Sequence, residues 1–452
     1  MSRRCSLFIA EYIFLNTFIL AFAFLFRHNF DVVTWMSIAQ MLVIVVTLTL
    51  YKKDYMLVSI LFILFTYLFH FGQSLITTLN FNDIYAHRNV LSKTTYETYI
   101  NAELFAMGCL FFVGLGFLWA NRYEKLRLQQ CNTLMLDDDK MRKVRRAGLI
   151  VLAFSIIPLI YIDVSKILAL KTGSYLDTYA VYAGGIGKYF TLIGQFARPA
   201  VTIVLFSYAK EKKKASAILF LSTIYFLIMM LSGDRGTNLI YIITNCFVYF
   251  KFVRKLRKRE IILGVICCYV GFGFLSAISL FRYSEFSIES LLNVFLRRSD
   301  DGIIYSVLRE FGVSLLSLVY ALDFIPEYVG YNLGLTYISA LVNILPIIPS
   351  SLAQMFEDSF AFTNAFPEIY QDSLGGSYLG ELYYNFGWFG MAIAVFVGFF
   401  IGKVDLGLEK LKEPKYIAML LVMVPSLILW VRDFFCSILF KSFWMAIFLL
   451  LF

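Results

Sequence analysis

Histidine is nearly absent from the sequence. His28, His70 and His87 are the three present in 452 residues, and none falls between positions 282 and 386. Ser-His-Asp hydrolysis and histidine-rich zinc catalysis therefore have little to draw on. Charge is scarce as well, at 16% of residues against 60% hydrophobic. There is no G-x-x-x-x-G-K-[ST] stretch and no glycine-rich turn between a strand and a helix, so ATP bound to this chain is not the source of any work it does. The cysteines (Cys5, Cys109, Cys131, Cys246, Cys267, Cys268 and Cys436) fall mostly inside apolar runs, with no C-x-x-C or Cys/His spacing. They read as small buried hydrophobes, and neither a metal site nor a disulfide framework is indicated.

What the sequence does contain is apolar length. Its 47 Phe and 29 Tyr sit in blocks near the roughly 20 residues of a bilayer crossing, and mean hydropathy is +0.74. The blocks are continuous where a membrane β-barrel would alternate. The opening MSRRCSLFIAEYIFLNTFILAFAFLF has a basic front end, but its apolar stretch is too long for a cleaved signal and no small-residue cleavage site follows. It reads as a first membrane helix. The pattern predicts an all-α polytopic membrane protein with about 12 transmembrane helices, near 6–26, 32–50, 55–77, 101–120, 147–165, 188–209, 215–232, 236–253, 261–281, 387–403, 416–431 and 434–452.

Orientation follows from Lys and Arg in the short connections. Arg3/Arg4, Lys52/Lys53, the run from Arg122 to Arg146, KEKKK at 210–214, KFVRKLRKR at 251–259 and Lys403 to Lys415 hold 26 of the 40 basic residues. All fall on one side if both termini are cytoplasmic. The net charge of +9 is then a topology signal, and nucleic acid is not an expected partner. Three regions follow: nine helices over 1–281, a large extracytoplasmic loop over 282–386, and three helices over 387–452. The loop carries twelve acidic residues and four arginines. Its apolar pieces FGVSLLSLVYALDF and LTYISALVNILPIIP are too short or too interrupted by Pro346 and Pro349 to cross, which suggests short helices at the interface or over a cavity. Long loops in compact proteins are usually functional, so substrate is expected here.

Charges at membrane depth are costly, by several kcal/mol on insertion scales. LSGDRGTN nevertheless places Asp234 and Arg235 between two apolar segments. Arg198 lies mid-helix beside Pro199, Arg282 ends the ninth helix, and Arg432 sits with Asp433 between the last two, with Lys441 two turns further. One such residue alone reads as a snorkelling anchor or a structural ion pair. Arg235, Arg282 and Arg432, from separated helices on an otherwise acidic face, read as a gathered anion site. The planar guanidinium fork suits phosphate oxygens, and an anion resident at a membrane surface suggests a lipid-linked phosphate or diphosphate. Glu381, in GSYLGELYYNFGWFG, sits before the tenth helix. Its neighbours Tyr378, Tyr383, Tyr384 and Trp388 offer amphipathic faces suited to sugar rings, or equally to a membrane-interface belt.

LSGDRGTNLI followed by a basic hairpin resembles the small-Gly-x-Arg-small element of bacterial O-antigen and oligosaccharide repeat-unit polymerases. DSLGGSYLGELYYNFGWFG resembles that family's loop-to-helix junction, LPIIPSSL the Pro-rich segment ahead of it, and WVRDFF an arginine-bearing turn near its C-terminus. The resemblance implies a lipid-carrier-dependent membrane glycosyltransferase that transfers a growing glycan from undecaprenyl diphosphate to the non-reducing end of a new undecaprenyl-diphosphate-linked repeat. Its products would serve O-antigen or capsule, in the bacterial inner membrane, alongside a flippase and a chain-length regulator. It implies diphosphate binding by Arg235, Arg282 and Arg432, with Arg198 deeper, and a catalytic centre of Arg235, Asp234 and Glu381, the last as general base. Tyr378, Tyr383, Tyr384 and Trp388 would hold sugar. No cofactor and no metal are expected, because arginine can neutralise the leaving group.

Two rivals remain open at this level. An O-antigen ligase shares plan and donor, but by resemblance relies on a histidine in the outer loop, which residues 282–386 lack. A lipid-linked oligosaccharide transporter would show repeated halves, and none is evident. Replacement of Arg235 by alanine is expected to abolish polymer while the protein still reaches the membrane. Immunoblots of membrane fractions beside polymer-length gels check this, and normal lengths would remove Arg235 from the site.

Overall fold

A computed structural model describes residues 3–79, 90–122, 136–172, 185–230, 234–257, 259–260, 264, 303–345, 348–367 and 374–452. Within them the chain is helical and forms no strand. The apolar runs become helices because a helix satisfies every backbone N–H and C=O within its own segment, which lipid cannot do. The first four are α1 (Arg3–Leu25), α2 (Phe30–Lys52), α3 (Val58–Thr78) and α4 (Tyr96–Asn121). Then come α5 (Asp138–Thr172), α6 (Gly185–Gly194), α7 (Ala197–Ser207), α8 (Lys212–Met229) and α9 (Arg235–Val248). Local signals set their ends. Asn29 caps α2 through Val32 N, Thr95 caps α4 through Thr98 N, and α2 stops where Lys53 takes a left-handed conformation.

Five short helices follow: α10 (Ile303–Gly312), α11 (Leu315–Phe324), α12 (Leu335–Val342), α13 (Ser350–Met355) and α14 (Glu357–Phe360). The chain closes with α15 (Tyr378–Phe386), α16 (Gly390–Lys410), α17 (Pro414–Trp430) and α18 (Phe435–Leu451). Seven helical stretches are long and apolar enough to cross a membrane: Ser6–Leu25, Phe30–Lys52, Val58–Thr78, Tyr96–Asn121, Asp138–Ala169, Gly187–Ser207 and Tyr378–Lys410. Pro414–Trp430 and Phe435–Leu451 are shorter apolar helices. The chain is thus a polytopic membrane protein with seven candidate crossings among the described residues. The expected ninth helix, 261–281, and the start of the expected loop, 282–302, lie outside the described residues save for Gly264.

The short helices differ from the expectation of pieces lying at an interface. In α11, Leu315, Leu318, Val319 and Ala321 are fully buried, packed against α4 and α15. Nearly every α11 side chain is apolar, so burial on all sides costs it nothing. Helix α12 keeps the expected outward character and does so inside out. Its Leu335, Ile338 and Leu341 are exposed, while Thr336 and Ser339 are buried and hydrogen-bonded to Asn385 and to the Ser359 carbonyl. That polarity suits a helix bathed in hydrocarbon.

The chain forms two compact units. The first comprises Met1–Gln129, Leu308–Glu409 and Ser426–Phe440; the second comprises Gln130–Val307, Lys410–Pro425 and Lys441–Phe452. In the first, α4 and α16 meet along glycines. A Cβ on Gly398 would lie 1.8 Å from the Val113 carbonyl oxygen, and one on Gly116 would lie 2.0 Å from that of Val395. Close backbone approach of this kind replaces the hydrophobic drive that lipid removes. The same unit buries Asp405 completely, where it accepts hydrogen bonds from Val58 N at 2.7 Å and from Ser59 N at 3.0 Å, and a further one from the Ser59 hydroxyl. Leu57 offers α3 no side-chain cap, so a residue from α16 does that work.

Replacing Asp405 with alanine would strand two buried N–H groups, at about 1–3 kcal/mol for each unsatisfied group. The detergent-purified variant is expected to unfold at a clearly lower temperature than the wild type. Ser59→Ala, which removes one donor and strands none of the backbone groups, is expected to shift the midpoint less. Thermal unfolding followed by intrinsic fluorescence checks both.

Candidate functional site

In the first unit the loop-end motif and the C-terminal arginine motif are in contact. Ser377 starts α15 and caps it, its hydroxyl oxygen accepting from Leu379 N at 3.2 Å. The same hydroxyl donates to His70 Nε2 at 2.7 Å, while His70 Nδ1 lies 2.9 Å from the Thr66 carbonyl. A carbonyl can only accept, so Nδ1 carries the proton and Nε2 receives the serine hydroxyl. His70 is fully buried and acts as a brace for the start of α15.

One turn on, Glu381 is 1% exposed. Its Oε2 accepts from Trp430 Nε1 at 3.0 Å and from Phe435 N at 3.2 Å. Those two donors flank the four-residue turn from Val431 to Phe434, which carries Arg432. Asp433 is occupied within that turn, accepting from Phe434 N at 2.8 Å and from the Ser437 hydroxyl at 2.7 Å. Gly376 lets the loop end pass against the turn, since a Cβ there would lie 2.6 Å from the Asp433 carbonyl carbon. Arg432 is half-buried with its guanidinium 5.4 Å from the centre of the Phe69 ring, and among the described residues no carboxylate pairs with it. A cation seated on an aromatic face with its acidic neighbour engaged elsewhere is available to an anion.

The aromatic set divides. Tyr378 is fully buried between Phe62 and Trp430, at centroid distances of 5.0 and 5.8 Å, and its hydroxyl meets that of Thr66. That is a place in the packed interior, where no sugar ring can stack. Tyr383 and Tyr384 are each 4% exposed, Tyr383 against Phe105 and Tyr384 against Phe362. Trp388 is the exposed member, at 44%. Every residue of α15 from Tyr378 to Asn385 is buried, whereas Trp388 lies past its end in the turn that leads to α16.

The second unit contains the Asp-Arg motif. Asp234 occupies the position before α9. Its carboxylate lies 3.6 Å from Arg198 Nη2 and 3.9 Å from Lys166 Nζ. Arg198 Nη2 is also 3.6 Å from Asp163, whose other oxygen accepts from the Tyr225 hydroxyl at 2.9 Å. Arg198 Nε donates to Asn238 Oδ1 at 3.1 Å, and Asn238 in turn donates to the Asp234 carbonyl at 2.6 Å. Burial pushes the Asp234 carboxyl up, but Arg198 and Lys166 outweigh it and hold the group below the usual carboxylate range, so it stays ionised. Arg235, expected to face outward, is buried at 9% exposure. It shares a face of α9 with Asn238 and Tyr241, both buried as well.

Arg282 lies outside the described residues. Sequence reasoning missed Asp163 and Lys166. Their signal was present, because two opposite charges three residues apart in IIPLIYIDVSKIL are an i,i+3 pair inside an apolar run. Among the described residues no group of three or more His, Cys, Asp and Glu gathers as a metal site would.

A polytopic helical membrane protein with buried ion networks and a braced, arginine-bearing turn is the class that these features define. The sequence matches the family model for O-antigen polysaccharide polymerase Wzy over residues 6–452, and the chain belongs to that family. No curated protein and no solved structure matches it.

Glu381 brackets the Arg432 turn, which makes a conservative pair informative. Glu381→Gln keeps an acceptor for Trp430 Nε1 and is expected to retain the fold, with an unfolding midpoint close to wild type. Glu381→Ala strands two donors and is expected to lose about 1–3 kcal/mol for each. Polymer lengths measured on both separate roles: partial activity in the glutamine variant fits a positioning residue, and complete loss in a folded glutamine variant fits a general base.

Proposed function

We propose that this chain polymerises lipid-linked oligosaccharide repeat units on the extracytoplasmic side of the bacterial inner membrane. The growing glycan is carried on undecaprenyl diphosphate and passes, by its reducing end, to the non-reducing sugar of a fresh lipid-linked repeat. The bond from the anomeric carbon to the diphosphate oxygen breaks, and a bond from the acceptor hydroxyl to that carbon forms. Undecaprenyl diphosphate departs with the bonding electrons, and the hydroxyl proton goes to a base or to water. Family membership supports the reaction class. The observation that carries the site is the Arg432 turn, its cation without an acid partner among the described residues and locked from behind by Glu381.

In this reading Arg432 meets the departing diphosphate, whose charge rises as the sugar becomes oxocarbenium-like, and Arg235 and Arg282 stay further diphosphate ligands on motif resemblance alone. Fixed donors in a low-dielectric setting are worth more there than in water. Arg198 and Asp234 hold the Arg235 helix start in place, and Glu381 does the same for Arg432. Trp388 is the aromatic best placed for sugar. A flippase supplies the substrate and a chain-length regulator limits the product.

Purified protein given defined undecaprenyl-diphosphate-linked repeats, with no nucleotide, is expected to yield a ladder of lengths on a carbohydrate gel. Transfer to lipid A core without a ladder would reassign the chain as a ligase. Movement of substrate between leaflets, with neither product, would make it a transporter.

A further inference from the structure

The start of α5 carries a dense run of charge, DDDKMRKVRRAG at 137–148, and every acid in it is engaged locally. Asp137 accepts from Asp139 N at 2.9 Å, Asp138 takes Lys210 at 2.7 Å, and Asp139 pairs with Arg142 at 3.3 Å. Glu413, just ahead of α17, pairs with Lys140, which brings the starts of α5 and α17 side by side. Lys143 and Lys415 differ from these. Among the described residues neither forms an ion pair, and the Lys415 ammonium lies 5.3 Å from the centre of the Tyr416 ring.

Between these two helix starts and the end of α18 lies a cavity of about 130 Å³, wholly within the second unit. The buried side chains Val144, Ala147 and Leu449 line its inner part. Lys140, Lys143, Lys415 and Glu413, all more exposed, line its mouth. Lys140 already answers Glu413, so the positive excess belongs to Lys143 and Lys415. The opening charge of α5 ends at Arg146 with apolar residues from Leu149, and that of α17 ends at Lys415 with an apolar run from Ile417. Phe452, also in the lining, and Leu451 beside it in sequence are exposed. A charged end thus meets apolar surface at this cavity, as it does at the depth of lipid headgroups. The volume is that of about four waters, enough for a phosphate group and well below the roughly 300 Å³ at which sites for larger organic ligands begin.

We propose that this cavity binds the phosphate of an anionic phospholipid, held by Lys143 and Lys415, with the acyl chains running over Phe452 and Leu451. Basic pockets between membrane helices recognise anionic headgroups in this way. The exposed apolar edge favours a lipid over a soluble phosphate, which has no use for it. The site is independent of the glycan reaction. It makes the lipid a third tie between the starts of α5 and α17, beside the pair of Lys140 with Glu413.

The test uses full-length protein purified in detergent and stripped of lipid. Native mass spectrometry follows titration with phosphatidylglycerol and with phosphatidylcholine, and the wild type is expected to prefer phosphatidylglycerol. A lysine near an anionic lipid contributes about fivefold, so Lys143→Gln with Lys415→Gln is expected to weaken phosphatidylglycerol about 25-fold and to leave phosphatidylcholine unchanged. Lys143→Arg with Lys415→Arg keeps both charges and is expected to bind as the wild type does. So is Lys212→Gln with Lys213→Gln, which removes two exposed lysines outside the cavity. An equal loss in that control, an unchanged affinity in the cavity variant, or no preference in the wild type would overturn the proposal. Displacement of the lipid by millimolar inorganic phosphate would also overturn it, in favour of a soluble anion. A photoreactive phosphatidylglycerol needs no variant. It is expected to label peptides from the start of α5 and the end of α18, and labelling confined to other segments would count against the site.

Discussion

A polar group at membrane depth has no water to fall back on, and the structure is organised around that constraint. Several buried charges among the described residues are answered within the chain by specific partners. Asp405 is satisfied by the first turn of α3, Glu381 by an indole and a backbone amide, and Asp163 and Asp234 by Arg198 and Lys166. Breaking one side of such an arrangement leaves an uncompensated buried group, which costs far more than the intact pair contributes. These residues therefore fix geometry. They tie distant segments of the chain to one another at set positions, and the Arg432 turn owes its shape to Glu381.

The same constraint explains how one side chain can support function without meeting substrate. Glu381 bridges Trp430 and Phe435, so the turn between them cannot open without stranding both donors. Ser377 and His70 do the same for the start of α15 from the other side. Arg432 is held by neighbours that are themselves held, and a cation preorganised in this way spends little on reorientation when charge develops nearby.

Helix positions were legible in the sequence wherever an apolar run was long, because hydropathy and the roughly 20-residue length of a crossing report the same physical need. The seam between α4 and α16 had a signal that the sequence reading passed over, GFFIG at 398–402, a small-xxx-small pattern with a defined use in lipid. The contact between GGSYLGEL and WVRDFF could be suspected from motif resemblance, but not its wiring through Glu381. Tertiary hydrogen bonds of that kind leave no periodic trace. Tyr378 was misplaced because a segment rich in Gly and Tyr looks like loop, whereas Ser377 caps it and the helix that follows is buried from Tyr378 to Asn385. Asp163 and Lys166 were visible as charges, but their respective partners Arg198 and Asp234 are 35 and 68 positions away along the chain.

The network of Lys166, Arg198, Asp163 and Asp234 has a consequence for energetics across the bilayer. These two positive and two negative groups sum to zero charge, so displacing them as a set would do no work against the transmembrane potential. A single uncompensated charge would couple to it by about 2.3 kcal/mol per 100 mV.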